Sequence, residues 1–154
     1  MASNTETWRA ALMQKYQITL SAELESLAKF RDFIKQTALQ AIQQGQPINE
    51  STVYDLQLAV DEAATNIIQH GYAGIDPGSI ILEIFIKQGQ VIMTLTDFGY
   101  QFEPANAPVP DIQAGLEDRP MGGFGLFFIY QSMDEVSYEA DPCGNRLILM
   151  KNLP

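Results

Sequence analysis

The feature that most constrains the fold is a pair of strand-like segments in the middle of the chain. Residues 79–87 and 90–96 are rich in Ile, Val, Leu and Thr, and both are apolar at nearly every second position. Gln88 and Gly89, which separate them, are typical of a two-residue hairpin turn. We therefore expect a hairpin that lies inside a sheet with one face covered.

Helical and strand periodicities predict the remaining elements of the chain. In order they are a strand at 16–20, a helix from Ser21 to 43, a helix from Asn49 to His70, a helix at 123–132, and a hairpin at 134–139 and 146–151. Helices and strand pairs are partly segregated, which favours an α/β (α+β) two-layer sandwich with a mixed, mostly antiparallel sheet covered on one face by helices. The apolar stripe of the first helix is expected at Leu24, Leu27, Phe30, Ile34, Ala38 and Ile42.

Composition and charge limit the classes of protein to which the chain can belong. It has 154 residues, 46% of them hydrophobic, which fits one domain with a proper core. The net charge of −10 argues against nucleic-acid binding and against anionic membranes. With no membrane-length apolar run and no signal pattern, we expect a cytoplasmic protein. The one cysteine, Cys143, excludes an internal disulfide and is expected to be an ordinary turn residue.

The second predicted helix carries both a polar and an apolar stripe. Glu62, Asn66 and His70 recur every four residues and therefore share one face. A carboxylate beside a carboxamide can hold a divalent cation and orient a hydroxyl group or a water, although such a pair alone is more often a solvated helix face. His70 has two interpretations, an orienting residue of a site or a helix-end histidine stabilised by the macrodipole. The residues expected to face the core are Leu56, Ala59, Ala63 and Ile67.

Asp97 ends the central hairpin, and Gly99 after it allows a sharp turn of the chain. A buried carboxylate at a strand end can accept a hydrogen bond from an exocyclic amine such as that of adenine. Mg²⁺ held by Asn66 and otherwise surrounded by water and phosphate oxygens would supply positive charge to such a site. These residues together favour a nucleotide-binding site.

Three glycines, at positions 122, 123 and 125, precede or open the third helix. Glycines at a helix start let backbone N–H groups approach phosphate oxygens, and the helix N-terminus favours negative charge. Arg119 is the only Lys or Arg between residues 87 and 146 and is a candidate phosphate clamp. No P-loop motif is present, so the chain is not a P-loop protein, and the lack of a dinucleotide-binding glycine motif after a strand argues against a dinucleotide-binding fold.

The order of these segments resembles a known family. Residues 61–66 match an N-box, residues 97–104 match a first glycine box of the form D-x-G-x-x-F followed by an acid and a proline, and residues 119–126 match a second. Residues 133–136 and 144–147 are also similar to the family. Over roughly residues 15 to 152, the chain resembles the small serine kinases that act as anti-sigma factors, within the superfamily of histidine-kinase-like, gyrase-like and Hsp90-like ATPases.

We expect residues 1–14 to form an N-terminal arm or a docking segment. The resemblance implies a histidine-kinase-like ATP-binding domain at residues 15–154, with a lid loop at residues 100–121. It implies ATP with Mg²⁺ as cofactors, Asp97 on the adenine, Asn66 on the metal, and Glu62 as the general base for a partner's serine hydroxyl. The full set of implied nucleotide-binding residues is Asn66, Asp97, Gly99, Phe102, Arg119, Gly122, Gly123, Phe124, Gly125 and Leu126.

The same resemblance implies a function and partners. The chain is expected to be a serine/threonine protein kinase of a bacterial partner-switching system that phosphorylates a small antagonist protein, with a sigma factor as a further partner, and to form a homodimer. The alternative is a nucleotide-gated protein-binding regulator with little or no kinase activity. An ATP-binding half of a sensor kinase is disfavoured, because no sensor, membrane or phosphoacceptor segment is evident.

Overall fold

The computed structural model describes residues 13–101 and 123–154, with side chains from Leu126 onward in the second range. The elements are β1 (Gln14–Ser21), α1 (Ser26–Gln43), α2 (Glu50–Asn66), a π-helical turn (Ile67–Gly71), β2 (Ser79–Lys87), β3 (Gln90–Asp97), α3 (Gly123–Ser132), β4 (Glu135–Asp141) and β5 (Gly144–Asn152).

The five strands form one sheet in the order β1-β2-β3-β5-β4. The predicted two-layer α/β architecture and both predicted hairpins are confirmed. The sheet is not mixed, however, because every strand pair in the described ranges is antiparallel. The register places Asp97, at the end of β3, opposite Asn145, at the start of β5. This pairing becomes important at the candidate site.

The core lies between the helices and one face of the sheet. Every second side chain of β2 is buried, starting at Ile80 and ending at Ile86. Helix α2 packs against both α1 and α3, and its buried alanines, Ala59 and Ala63, allow close approach of these neighbours. Fully burying one large aliphatic side chain contributes about 1.5–3 kcal/mol, so this layer holds α2 firmly on the sheet. Among the described residues, no helix combines the length and the apolarity that a membrane span requires.

The predicted start of the first helix is wrong. Ser21 belongs to β1, and the helix begins at Ser26, whose hydroxyl group donates to the Ser21 carbonyl at 2.6 Å. Two members of the predicted stripe lie outside the core: Leu24, which precedes the helix, is 61% exposed, and Ile42, in the last turn, is 42% exposed. The buried positions of α1 are instead Ser26, Phe30, Ile34, Thr37, Ala38 and Ala41.

The start of α2 is as predicted, but its end has a different geometry. Asn49 caps the helix, and its side chain accepts a hydrogen bond from the Thr52 N–H at 2.8 Å. The α-helix stops at Asn66 and continues as a π-helical turn to Gly71. Such turns are rare in proteins and are frequently found at functional sites.

Candidate functional site

A cleft that is open to solvent lies between the end of α2, the end of β3 and the face of α3. It brings together three of the residues predicted from the sequence, Asn66, Asp97 and Leu126. In the part of the chain that the structure describes, the lining residues are Ala63, Asn66, Ile67, Gly71, Asp97, Tyr100, Leu126, Ile129, Tyr138 and Leu147. A mostly apolar cleft with a few polar groups is the usual form of a small-molecule site.

Asp97 is the buried acid of this cleft, with 6% of its surface exposed. Its Oδ1 accepts two hydrogen bonds, from the Gly99 N–H at 3.0 Å and from Asn145 Nδ2 at 3.1 Å. Burial raises the pKa of the Asp97 carboxyl above its ordinary value, and these two hydrogen bonds offset part of that rise. No described residue donates a hydrogen bond to Oδ2, which leaves that oxygen available to a ligand.

Gly99 is required because the backbone of another segment lies against it. A Cβ at this position would lie 2.1 Å from the carbonyl oxygen of Gly71. The next residue, Tyr100, donates its N–H to that same oxygen at 2.6 Å. The chain bends at Gly99 as predicted. Gly99 is not among the glycines with positive φ, so the close approach of the Gly71 backbone explains why a glycine is needed here. The contact joins the π-helical turn to the segment after β3.

Tyr72 fixes the chain that leaves the π-helical turn. Its hydroxyl group donates to the Ser79 carbonyl at 2.9 Å and accepts from the Phe98 N–H at 3.0 Å. Burial, and secondarily the nearby charge of Asp97, raise the pKa of the Tyr72 phenol. A Cβ on Gly78 would collide with the Tyr72 ring at 2.7 Å, so that glycine makes room for the ring. Tyr72 thereby anchors both ends of the hairpin that carries Asp97.

Asn66 lies in the last turn of α2 and lines the cleft. It is 7% exposed, and no described residue forms a hydrogen bond with its carboxamide. The described ranges contain no group of three or more His, Cys, Asp or Glu side chains that could hold a metal ion. Asn66 therefore fits a Mg²⁺ ion whose remaining ligands are water and phosphate oxygens, which is the usual mode for this ion. A metal held by protein side chains alone would need more ligands than these ranges offer.

Glu62 lies one turn before Asn66 on α2 and is half-buried. Burial, and secondarily the negative charge of Asp61, raise the pKa of its carboxyl above 4.5. Asp61 itself forms an ion pair with Arg31 of α1. A half-buried carboxylate with a raised pKa on the same helix face as Asn66 is suited to the work of a general base.

The other predicted site residues have different outcomes. Gly123, Phe124 and Gly125 form the first turn of α3, as the sequence predicts. His70 lies at an exposed position in the π-helical turn and does not line the cleft. Phe102, Arg119 and Gly122, and with them all but the first two residues of the predicted lid loop, lie outside the described residues.

Sequence reasoning assigned no role to Gly71, Tyr72 or Asn145. All three support Asp97 or the backbone beside it, and all three do so through contacts between segments that are distant along the chain. The available signal for Asn145 was an amide side chain directly after a turn glycine, within a segment already noted for its resemblance to a family.

The fold and the cleft define an α/β sandwich protein with a mostly apolar cleft between a helix end and a strand end. Residues 20–151 match the family model of the histidine kinase-like ATPase domain, and the chain belongs to that family.

Among similar proteins, a serine/threonine-protein kinase, BtrW, of Bordetella bronchiseptica is 30% identical over 62% of this chain and 68% of its own length. A serine-protein kinase, RsbW, of Listeria monocytogenes is 33% identical, and the matched region spans 58% of this chain and only 59% of the relative. An anti-sigma F factor of Clostridium botulinum is 26% identical over 88% of this chain and 94% of its own.

A solved structure supports the fold independently. The crystal structure of the RsbU and RsbW domains of Rv1364c from Mycobacterium tuberculosis matches with a TM-score of 0.62 at 18% identity. The match covers 92% of this chain and 33% of that protein. At this level of identity, the similarity establishes the arrangement of strands and helices.

Proposed function

We propose that the protein is an ATP-dependent serine/threonine protein kinase of a partner-switching system. The single observation that carries the proposal is Asp97, a buried carboxylate at the floor of the cleft with Oδ1 occupied by two donors and no described donor on Oδ2. Such a carboxylate can accept a hydrogen bond from the exocyclic amine of a nucleobase. The names of similar proteins, serine-protein kinase and anti-sigma factor, support the same function.

In this proposal each side chain at the end of α2 has its own task. Glu62 accepts the proton of the partner's serine or threonine hydroxyl group as that oxygen attacks the γ-phosphorus of ATP. The bond from the γ-phosphorus to the β–γ bridging oxygen breaks in the same step, and ADP leaves. Asn66 holds Mg²⁺, which when bound neutralises phosphate charge. Asp97 fixes the base of the nucleotide, so that the γ-phosphate lies at a defined distance from the helix. Catalysis of phosphoryl transfer rests mainly on such positioning and on charge neutralisation.

The phosphates are assigned to the start of α3 and the segment before it. Backbone N–H groups at Gly123 and Gly125, and the positive end of the helix dipole, attract anions without adding basic side chains to a chain of net charge −10. Gly122 and Arg119 belong to the same proposed phosphate site. Phe102, Phe124 and Leu126 are proposed to complete the pocket around the nucleotide.

The proposed partners are a small antagonist protein that carries the accepting serine or threonine and, in the same scheme, a sigma factor. A homodimer is also proposed. The free edge of β1, which pairs with β2 on one side and with no described strand on the other, is the candidate surface for it.

The test is the Glu62→Gln variant, which keeps the shape of the side chain and removes the base. We expect its ATP affinity to stay within about twofold of wild type, while phosphate transfer to a small antagonist protein that carries the accepting serine or threonine falls by about 10²–10⁴. Glu50→Gln, an exposed carboxylate in the first turn of the same helix, is the matched control and should change neither quantity.

The alternative function, a nucleotide-gated binding regulator, gives a different result. In that case wild type and Glu62→Gln bind ATP and the partner equally well, and neither transfers phosphate. Regulation of the partner that persists unchanged in the Glu62→Gln variant would exclude the kinase proposal and favour this alternative.

A further inference from the structure

Asn145 is a buried polar residue that the proposed chemistry does not use. It lies directly opposite Asp97 in the β3–β5 pairing and has 3% of its surface exposed. Its Nδ2 donates to Asp97 Oδ1 at 3.1 Å and to the carbonyl oxygen of Gly99 at 2.9 Å, with the Tyr100 carbonyl at 3.4 Å. One amide group therefore contacts both the acid of the cleft and the backbone that follows it.

The two hydrogens of this amide act on different parts of the site. The first, together with the Gly99 N–H, occupies Oδ1 of Asp97 and fixes the plane of the carboxylate. The second holds the Gly99 carbonyl in place. Without the amide, the Asp97 carboxylate keeps one donor instead of two, so its orientation is less restrained.

We infer that Asn145 is the positioning residue for base recognition: it holds Asp97 ionised and in one orientation, so that Oδ2 accepts the exocyclic amine of the nucleotide. The inference rests on the proposed nucleotide binding and deepens it. A residue that only filled space between β3 and β5 would leave the protonation of Asp97 unaffected, whereas the geometry here makes Asn145 a direct donor to that carboxylate.

The protonation behaviour of Asp97 supports this role. Burial raises the pKa of the Asp97 carboxyl, and the Asn145 and Gly99 donors lower it. Tyr72 is the other titratable group that interacts with this carboxyl among the described residues. A phenol is neutral near pH 7, and burial raises the pKa of Tyr72 further. Wild-type affinity for ATP is therefore lost as the pH falls through the raised pKa of Asp97, and the loss should begin at higher pH when the Asn145 donor is removed.

The experiment measures the dissociation constant of Mg²⁺-ATP for wild type, Asn145→Ala and Asn145→Asp from about pH 5 to about pH 9. The affinity of each variant is then divided by the affinity of wild type at the same pH to give a relative affinity. For Asn145→Ala we expect a roughly ten- to hundredfold loss at neutral pH, which corresponds to one hydrogen bond to a charged group, and a further relative loss toward acid.

Asn145→Asp should show the opposite sign of pH dependence. Two adjacent buried carboxylates cannot both ionise easily, and they share a proton when the pH is low enough. That proton restores a donor to Asp97, so relative affinity should recover as the pH falls and vanish as it rises. Asn152→Asp, the same substitution at an exposed position on the same strand, is the matched control and should follow wild type.

Three results separate the possibilities. Relative affinities that change with pH in the two opposite directions support the inference. Variants that unfold at lower temperature but whose relative affinities are flat with pH would show that Asn145 is only structural and would overturn it. Wild-type protein that does not bind Mg²⁺-ATP at any pH would overturn the proposed function itself, independently of the Asn145 variants.

Discussion

Replacing Gly99 with alanine should break the contact that joins the two halves of the cleft. The added Cβ would lie 2.1 Å from the Gly71 carbonyl oxygen and 2.5 Å from its carbon, both of which are backbone atoms that no rotamer change can move. Ordinary contacts begin near 3.4 Å, so the two backbones must separate by more than 1 Å. The hydrogen bond from Tyr100 to Gly71, now 2.6 Å, cannot survive that separation.

The cost of this substitution combines the lost hydrogen bond with the strain of overpacking. A backbone hydrogen bond contributes about 1 kcal/mol and overpacking about 1–3 kcal/mol, which together give about 2–4 kcal/mol. For a chain of 154 residues this lowers Tm by about 4–16 °C. The displacement also moves the Gly99 N–H away from Asp97, so affinity for nucleotide should fall with stability.

Gly71→Ala is the matched control because it adds the same methyl group on the other side of the same contact. Its Cβ would meet Asp97 Oδ1 and Ile67 at 3.5 Å, which is ordinary van der Waals distance. We expect its Tm within about 2 °C of wild type, measured by thermal unfolding followed by circular dichroism. Equal Tm values for the two alanine variants would refute the close-approach explanation of Gly99.

Three further predictions concern groups around the cleft. Asp97→Asn keeps an acceptor for both donors and removes a carboxylate whose pKa is raised in the folded state. Ionising that carboxylate makes folding less favourable as the pH rises from its ordinary pKa through its raised pKa, so the Tm of the variant at pH 7 should equal or exceed that of wild type. Isothermal titration calorimetry should nevertheless show a loss of ATP affinity of about a hundredfold or more. Tyr72→Phe removes a bridge from the Phe98 N–H to a carbonyl and should cost about 1–3 kcal/mol in urea unfolding, with an unchanged free energy counting against the bridge. Phosphate transfer should be lost as pH falls through the raised pKa of Glu62, and Asp61→Asn should move that loss to lower pH in a pH–rate profile, because it removes a like charge.

Local patterns were sufficient for the elements whose formation depends on near neighbours in the sequence. The central hairpin follows from alternation with period two and from Gly89, which takes a positive φ of 83°. The cap of α2 follows from Asn49 and the N–H three residues later. Each of these features is determined within a few residues, so the sequence alone could place it.

The start of α1 could not be placed in this way because two serines compete for it. Ser21 is a good cap by composition, but it pairs with Ser79 as the last rung of the β1–β2 ladder. Because Ser21 is part of the β1–β2 ladder, it does not cap α1, and the helix starts at Ser26 instead. The start of α1 therefore depends on the pairing of Ser21 with Ser79, which lies 58 positions later in the chain. Helix propensity does not take such a distant contact into account.

The candidate site shows the same division between local and distant causes. Glu62, Asn66 and Asp97 could be selected from spacing and position, and the structure places Asn66 and Asp97 on one cleft. Asn145 could not be assigned a role, because its contact with Asp97 exists only through the β3–β5 register, across 48 positions of sequence. Spacing along the sequence can therefore identify Asp97 but not Asn145, the amide that donates to it.

The π-helical turn at Ile67–Gly71 makes the site sensitive to the backbone geometry of this turn as well as to its side chains. A π-helical turn holds one residue more than an α-helical turn, so it absorbs an additional residue between α2 and Tyr72. Each residue of an α-helix advances the chain by about 100° around the axis. If the same residues continued as an α-helix, the additional residue would therefore turn the Gly71 carbonyl away from Tyr100, with no change in any side chain that lines the cleft. Substitutions between Asn66 and Tyr72 that favour α-helical over π-helical spacing should weaken the junction even when every proposed site residue is kept.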